Sequence, residues 1–247
     1  SITMRVSSSF TSAGGTHGGL LKLAMVPGPQ LPNLPPWFEF QYKPSEWPTF
    51  TNVITLSSSL HKENPLSCEY YNSWPQKGWT DLNSITQKTV LDARACSKLS
   101  TNAGTSPEIK LPQDLLMLAK EFDTTSSSWS AASGLSEKPS VWFVTEDPNP
   151  ADNAPTCSGD LGEVKLNHVG TTTSIKAMVY TPCKINIAGN STFNGQLYGA
   201  GWNHGGGINF LPDTVGLPGM STSSGGSQPG GVPQAGSFVL QTSQDVP

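Results

Sequence analysis

The stretch from Ser174 to Gly207, SIKAMVYTPCKINIAGNSTFNGQLYGAGWNHGGG, constrains the fold of this chain more than any other. Ile175, Ala177 and Val179, then Ile185 and Ile187, alternate with Lys176, Met178, Tyr180, Lys184 and Asn186. Side chains along a strand point to opposite faces in turn, so the first set predicts a dry face and the second a mostly wet one. Thr181-Pro182-Cys183, Gly189-Asn190 and Asn194-Gly195 interrupt the alternation at short intervals. Gly and Asn tolerate the positive φ of a tight corner. Brief strands that keep turning corners predict a coiled, solenoid-like β-structure with Ile175, Val179, Ile185, Ile187, Phe193 and Leu197 stacked inside.

Composition agrees with a chain of strands and loops. Charged residues are 13% of the 247, about half the usual globular share, and there are 25 Gly and 21 Pro. The formal charge of -4 gives no basic footprint for phosphate neutralisation, so no nucleic-acid partner is expected. No run approaches the ~20 apolar residues of a membrane helix. The chain reads as a processed or truncated ectodomain, with membrane attachment only through a helix upstream of Ser1.

Three regions follow from the order of patterns. Residues 1–139 predict an aromatic-rich α/β lobe, 140–220 the short-strand solenoid-like lobe packed on it, and 221–247 a Gly/Ser/Pro-rich flexible tail with a terminal strand at Phe238–Leu240. The fold class expected is therefore mainly β with a small α/β portion. In the first lobe, Trp37–Tyr42 and Phe50–Leu56 predict strands, after a proline connector over Pro27–Pro36. Ser84-Ile85-Thr86-Gln87 has the form of a capping box before Leu91, Ala95 and Leu99, which predicts a helix over Ile85–Lys98 with Cys96 turned inward. Pro112 at a first helical position, with Leu115, Leu118, Ala119 and Phe122 behind it, predicts a second helix. Ser140–Val144, Gly162–Leu166 and Ile208–Phe210 read as strands.

Cys68, Cys96, Cys157 and Cys183 are even in number, widely spaced and without a C-x-x-C pair, which favours two disulfides over zinc or redox chemistry. Of the three connectivities, Cys68 with Cys96 and Cys157 with Cys183 is favoured because each pair sits within one compositional block; four buried thiols is the competing reading. His17, His61, His168 and His204 are scattered without metal-ligand spacing, and Gly199-Ala200-Gly201 lacks the third glycine of a dinucleotide loop, so neither metal nor cofactor is expected. No nucleophile elbow is present and no catalytic residue is assigned. Asp160 and Glu163 lie close together in a chain of parallel-coil type and are the carboxylates weighed for a polysaccharide-active enzyme, but neither falls within a cluster of Arg, Lys or aromatic residues. Trp37, Trp47, Trp74, Trp79 and Trp202 could stack on host or surface glycans, in an adhesin or carbohydrate-binding module. Trp202-Asn203-His204, an aromatic and a histidine on a glycine-rich turn, is the candidate interaction surface.

Val179-Tyr180-Thr181-Pro182-Cys183, then Ile185-Asn186-Ile187-Ala188-Gly189-Asn190-Ser191-Thr192-Phe193-Asn194-Gly195-Gln196-Leu197-Tyr198-Gly199, resembles the C-terminal domain of bacterial type IV pilus-like and pilus-assembly-associated surface proteins. Phe210 to Gly219 is similar to the closing stretch of actinobacterial members. The resemblance covers about Ser140 to Gly219. It implies stacked short strands and an extracellular structural role at the cell surface, as a pilin-like subunit or accessory whose partners are other pilin-like subunits or copies of itself. That family's N-terminal hydrophobic helix is not among these residues.

Overall fold

A computed structural model describes residues 37–56, 79–100, 106–124, 126–157 and 162–218, with the backbone of 68–69. The proline connector, Trp74, Asp160 and the tail with its terminal strand lie outside the described residues. Within them, fourteen strands pair in one ladder: β1 (Asn52–Thr55), β2 (Cys68–Glu69), β3 (Thr89–Asp92), β4 (Leu99–Ser100), β5 (Glu108–Leu111), β6 (Leu115–Leu118), β7 (Phe122–Asp123), β8 (Ser128–Ala131), β9 (Ser140–Val144), β10 (Val164–Asn167), β11 (Gly170–Thr171), β12 (Lys176–Ala188), β13 (Ser191–Gly205) and β14 (Ile208–Pro212).

The strand pairs sort into three columns, all parallel. β1, β3, β6, β9, the first half of β12 and the middle of β13 make the first face. β2, β4, β7, β10, the second half of β12 and the end of β13 make the second. β5, β8, β11, the start of β13 and β14 make the third. Six strand segments on the first face mean six successive coils between Asn52 and Pro212. Each coil returns to the same face one strand further along, which is why every pair is parallel. The fold is mainly β and solenoid-like, and the ladder continues through residue 139 where β6 pairs β9.

The two expected helices are strands and turns. Thr89–Asp92 is β3 and Leu115–Leu118 is β6, while Pro112 lies in the turn that joins β5 to β6. Ser84 ends a short 3₁₀ helix, Trp79–Ser84, with its hydroxyl donating to the Asp81 carbonyl at 2.9 Å. The cause is burial on both faces. Leu115 and Met117 point into the inner core and Leu116 and Leu118 into a second, outer one, all fully buried. A strand covered on both sides is a continuous apolar run, and periodicity does not separate it from a helix. Cys96 consequently sits at the corner between β3 and β4, buried and disulfide-bonded; the side chain of Cys68, its expected partner, lies outside the described residues.

The inner core is filled from all three faces by Leu91, Leu99, Ile109, Phe122, Val141, Val164, Ile175, Val179, Ile185, Ile187 and Phe193, among others. Trp129 meets both Trp79 and Phe143 edge-on, with centroids 5.8 and 5.4 Å apart. The odd-numbered apolar residues of β12 thus lie inside, as their alternation predicts. The even-numbered face is only half wet. Met178 and Tyr180 join Val90, Leu116, Leu118, Trp142 and Val144 in the outer core, beneath Phe40, Trp47, Phe50 and Leu217.

The segment Trp37–Tyr42 that covers this outer core is not a strand. The backbone groups of the first face are already spent within the ladder, so side chains hold the strap. Phe40 N–H donates to the Tyr180 hydroxyl at 3.0 Å, and that hydroxyl donates to the Phe38 carbonyl at 2.7 Å. Phe38 N–H donates to the Tyr198 hydroxyl at 2.7 Å and Tyr42 N–H to Glu146 Oε1 at 2.6 Å. The rings of Tyr180 and Tyr198 stack 5.5 Å apart, and Trp37 stacks on Tyr198 at 4.7 Å. Burial pushes the Tyr180 phenol well above its ordinary pKa.

The corners follow the sequence. Gly189 takes φ +70 between β12 and β13, and Gly195 takes φ +148 where β13 turns from the third face to the first. A Cβ on Gly195 would lie 1.7 Å from the Ala177 carbonyl oxygen, so this corner admits no other residue. At Thr181-Pro182-Cys183 the register of β12 against β13 shifts. The Thr181 hydroxyl donates to the Gly162 carbonyl and accepts from Cys183 N–H, and Cys183 is bonded to Cys157.

Two variants test this construction. Tyr180→Phe strands the Phe40 N–H and the Phe38 carbonyl, and is expected to cost about 1–3 kcal/mol in chemical denaturation. Tyr198→Phe, which orphans one part-buried donor, should cost less; equal effects would mean that the tyrosine hydroxyls do not hold the strap. Joint replacement Cys157→Ala/Cys183→Ala opens a closure between residues separated by 26 positions. Its expected cost is about 3.5 kcal/mol by loop entropy, read as a lowered unfolding midpoint.

Candidate interaction surface

Coil six ends the ladder, and the expected surface residues lie on it. Trp202-Asn203-His204 is not a turn but the end of β13, paired in register with Ile185, Asn186 and Ile187 of β12. Ile185 and Ile187 belong to the inner core. Trp202 and His204 therefore continue interior columns, and Asn203 continues the outward column above Asn186. Leu197 likewise follows Val179, and Phe210 follows Phe193 with the rings stacked 6.2 Å apart. Trp202 is 47% exposed because no further coil stacks beyond it among the described residues.

The backbone at this end is equally unfinished. The last residues of β13 pair only with β12, and β14 pairs only with β13, so each presents a row of edge groups among the described residues. Natural sheets blunt such edges with charge, proline or a covering element. From Ser191 to Pro212 the chain holds no Asp, Glu, Lys or Arg. Glycine dominates this coil, and Pro212 comes only at its last strand position.

The charged residues lie elsewhere and are engaged with one another. On the second face Lys165 reaches Glu163 at 3.1 Å and Glu121 at 3.6 Å, and Lys98 reaches Asp123 at 3.8 Å. Asn186 Nδ2 donates to Glu163 at 3.4 Å. Glu163 is thus part of a cross-coil ion ladder, while Asp160, its expected companion, lies outside the described residues. Among the described residues no group of His, Cys, Asp and Glu is placed to hold a metal ion.

Two structural residues escaped the sequence reading. Arg94 grips Asp92 through Nε at 2.9 Å and Nη2 at 2.7 Å, reaches Glu146 through Nη1 at 3.1 Å, and lies 5.6 Å from the Tyr42 ring centroid. Burial would raise the Asp92 carboxyl, but the hydrogen bonds from Arg94 hold it below the usual range. A cleft of about 320 Å³ opens beside Arg94, Lys120, Glu146 and Pro182, yet the guanidinium is committed to the clamp on the strap. Asp147 is buried and accepts from Trp37 Nε1 at 3.2 Å, Asn149 N–H at 3.0 Å and Thr156 N–H at 3.1 Å. The Asp147-Pro148-Asn149 sequence is an Asx-turn signature that could have marked it. Of the aromatic set proposed for glycans, Trp47 and Trp79 are core residues and Trp37 is partly buried against the tyrosines, which leaves Trp202 among the described residues.

Glu121 gives the second face a pH signature. Burial raises its carboxyl pKa against the pull of Lys165 and Lys98, with Asp123 and Glu163 adding to the rise. A carboxyl that binds its proton more tightly folded than unfolded weakens the fold when ionised, so its contribution improves as pH falls toward the folded value. Glu121→Gln is therefore expected to keep or raise the unfolding midpoint at neutral pH, with the difference from wild type shrinking through the carboxylate range. A midpoint lowered at neutral pH would show that the Lys165 pair outweighs burial. No known protein family, curated protein or solved structure matches this chain.

Proposed function

We propose that this is an extracellular structural protein, a pilin-like subunit or accessory of a type IV pilus-related surface filament, joined to a single partner subunit through coil six. The observation that carries the reading is the uncharged end of the solenoid, where, among the described residues, strand edges and interior columns stop uncovered at Trp202, His204 and Phe210. The Cys157–Cys183 disulfide suits an oxidising compartment. Among the described residues no helix is long and apolar enough to cross a membrane, and attachment falls to partners or to other segments. The short-strand motif from Val179 to Gly199, with its likeness to pilus-associated surface proteins, supports the filament context.

Trp202 supports a second reading, because an exposed indole beside Asn203 and His204 is what a sugar ring would stack upon. Both readings use one surface and differ in partner. Labelling the protein on intact cells for electron microscopy is expected to decorate surface filaments. A cytosolic location with reduced thiols would end the extracellular reading. Surface label without filaments, together with glycan-array binding that Trp202→Ala abolishes, would replace assembly by adhesion.

A further inference from the structure

We propose that coil six pairs with coil six of a second copy, tail to tail about a two-fold axis, and that this contact is how the protein self-associates. The inference rests on the assembly reading above and names its partner and geometry.

The chain's own continuation turns away from this end. After Pro212, Val215 and Gly216 N–H both donate to Gln196 Oε1, at 2.9 and 3.0 Å. The Gly216 carbonyl accepts from Trp142 Nε1 at 2.7 Å, and Leu217 is buried in the outer core. Trp142 belongs to β9, two coils back along the first face. Asp213 N–H donates to the Gly195 carbonyl at 3.2 Å, and residues 214–217 then run over the flank of the solenoid, so that beyond Gly195 no described residue covers its end.

The end itself is self-compatible. An isologous contact sets every residue near the axis against its own copy, so a charged edge would repel itself. Between Ser191 and Pro212 there is no charged side chain to do so. Leu197, Ile208 and Phe210, packed against the inner core, and exposed Trp202, in register with the core residue Ile185, offer apolar surface that a second inner core of the same cross-section would continue.

A head-to-tail arrangement would meet an open β1 edge on the first face, among the described residues, but is obstructed on the third. On the third face the first coil carries the 3₁₀ helix Trp79–Ser84 where β14 of a neighbour would need a strand. Asn83 of that helix also occupies the edge of β5: its Nδ2 donates to the Glu108 carbonyl at 3.2 Å, and its Oδ1 accepts from Lys110 N–H at 2.6 Å. One end of this face is blunted by a side chain and the other is open. Two open ends meeting satisfy each other.

A two-fold axis reverses strand direction, so the new pairing is antiparallel, a ladder at least as stable per residue as the parallel ones within the coil. With Asn203 on the axis, the end of β13 pairs with its own copy. Trp202 then falls opposite the copy's His204, both turned inward, and the two Asn203 side chains meet on the outer surface. The third face of each copy lies against the first face of the other.

The full chain in sedimentation equilibrium is expected to show a monomer–dimer equilibrium with no larger species. Asn203→Lys, at an exposed site, places two like charges across the axis and should weaken the dimer by about tenfold, with the circular dichroism spectrum unchanged. Asn203→Cys should yield a disulfide-linked dimer under mild oxidation, and this variant carries the test if Asn203→Lys fails to fold. A strictly monomeric chain overturns the proposal, as do open-ended oligomers that the Asn203→Cys variant does not link. A monomer that still decorates surface filaments would remove this contact alone, whereas a dimer confined to the cytosol would remove the filament reading alone.

Discussion

The structure depends on burying the first face of the solenoid from both sides. In a simple parallel coil one side of each strand faces the inner stack and the other faces water. Here Val90, Leu116, Trp142, Met178 and Tyr180 build a second apolar layer outside the ladder, and the chain before β1 is folded over it. That cover does not pair as a strand, because the ladder has no backbone groups left to offer outward. The N–H groups of Phe38, Phe40 and Tyr42 and the Trp37 indole are met by the hydroxyls of Tyr180 and Tyr198 and the carboxylates of Glu146 and Asp147, while Trp47 Nε1 is buried without a partner. Leaving such groups unpaired in an apolar layer would cost more than most single contacts return.

How much of this was legible depended on how many faces each strand buries. In β12 and at the residue just before it, the odd positions Ile175, Ala177, Val179, Ile185 and Ile187 are interior, and a period of two announces them. Their even neighbours divide at the Thr181-Pro182-Cys183 corner, with Met178 and Tyr180 dry before it and Lys184 and Asn186 polar after it. Alternation within one strand cannot report that a distant segment covers its second side. The same blindness turned β3 and β6 into helices, because Leu115 to Leu118 buried in two cores carries no period at all. The glycines that flank Trp202-Asn203-His204 read in the sequence as a turn. The register of these three residues on Ile185 to Ile187 shows instead an interior column that ends abruptly.

The two ends of the third face differ in a way that composition alone conceals. At the start, Asn83 on a 3₁₀ helix satisfies the edge of β5, and Glu108 and Lys110 stand exposed beside it. At the finish, β14 offers its edge with neither charge nor cover among the described residues. Edge protection is a common answer to the template problem of unpaired strands. Its presence at one end and its absence among the described residues at the other set the two ends of this face apart.

The distribution of charge makes the same distinction. With only 13% charged residues, the chain concentrates ion pairs on the second face and in the clamp of Arg94 with Asp92 and Glu146. Exposed pairs of this kind add little stability, so the cross-coil ladder of Lys165 with Glu121 and Glu163 matters more for what it keeps away. A flank bearing fixed charges of both signs resists adventitious strand pairing and apolar association. Coil six lacks that protection and joins two free edges to an exposed indole. Association along the axis of the coil, as proposed, would draw its hydrogen bonds from the backbone itself and meet no repulsion from neutral side chains.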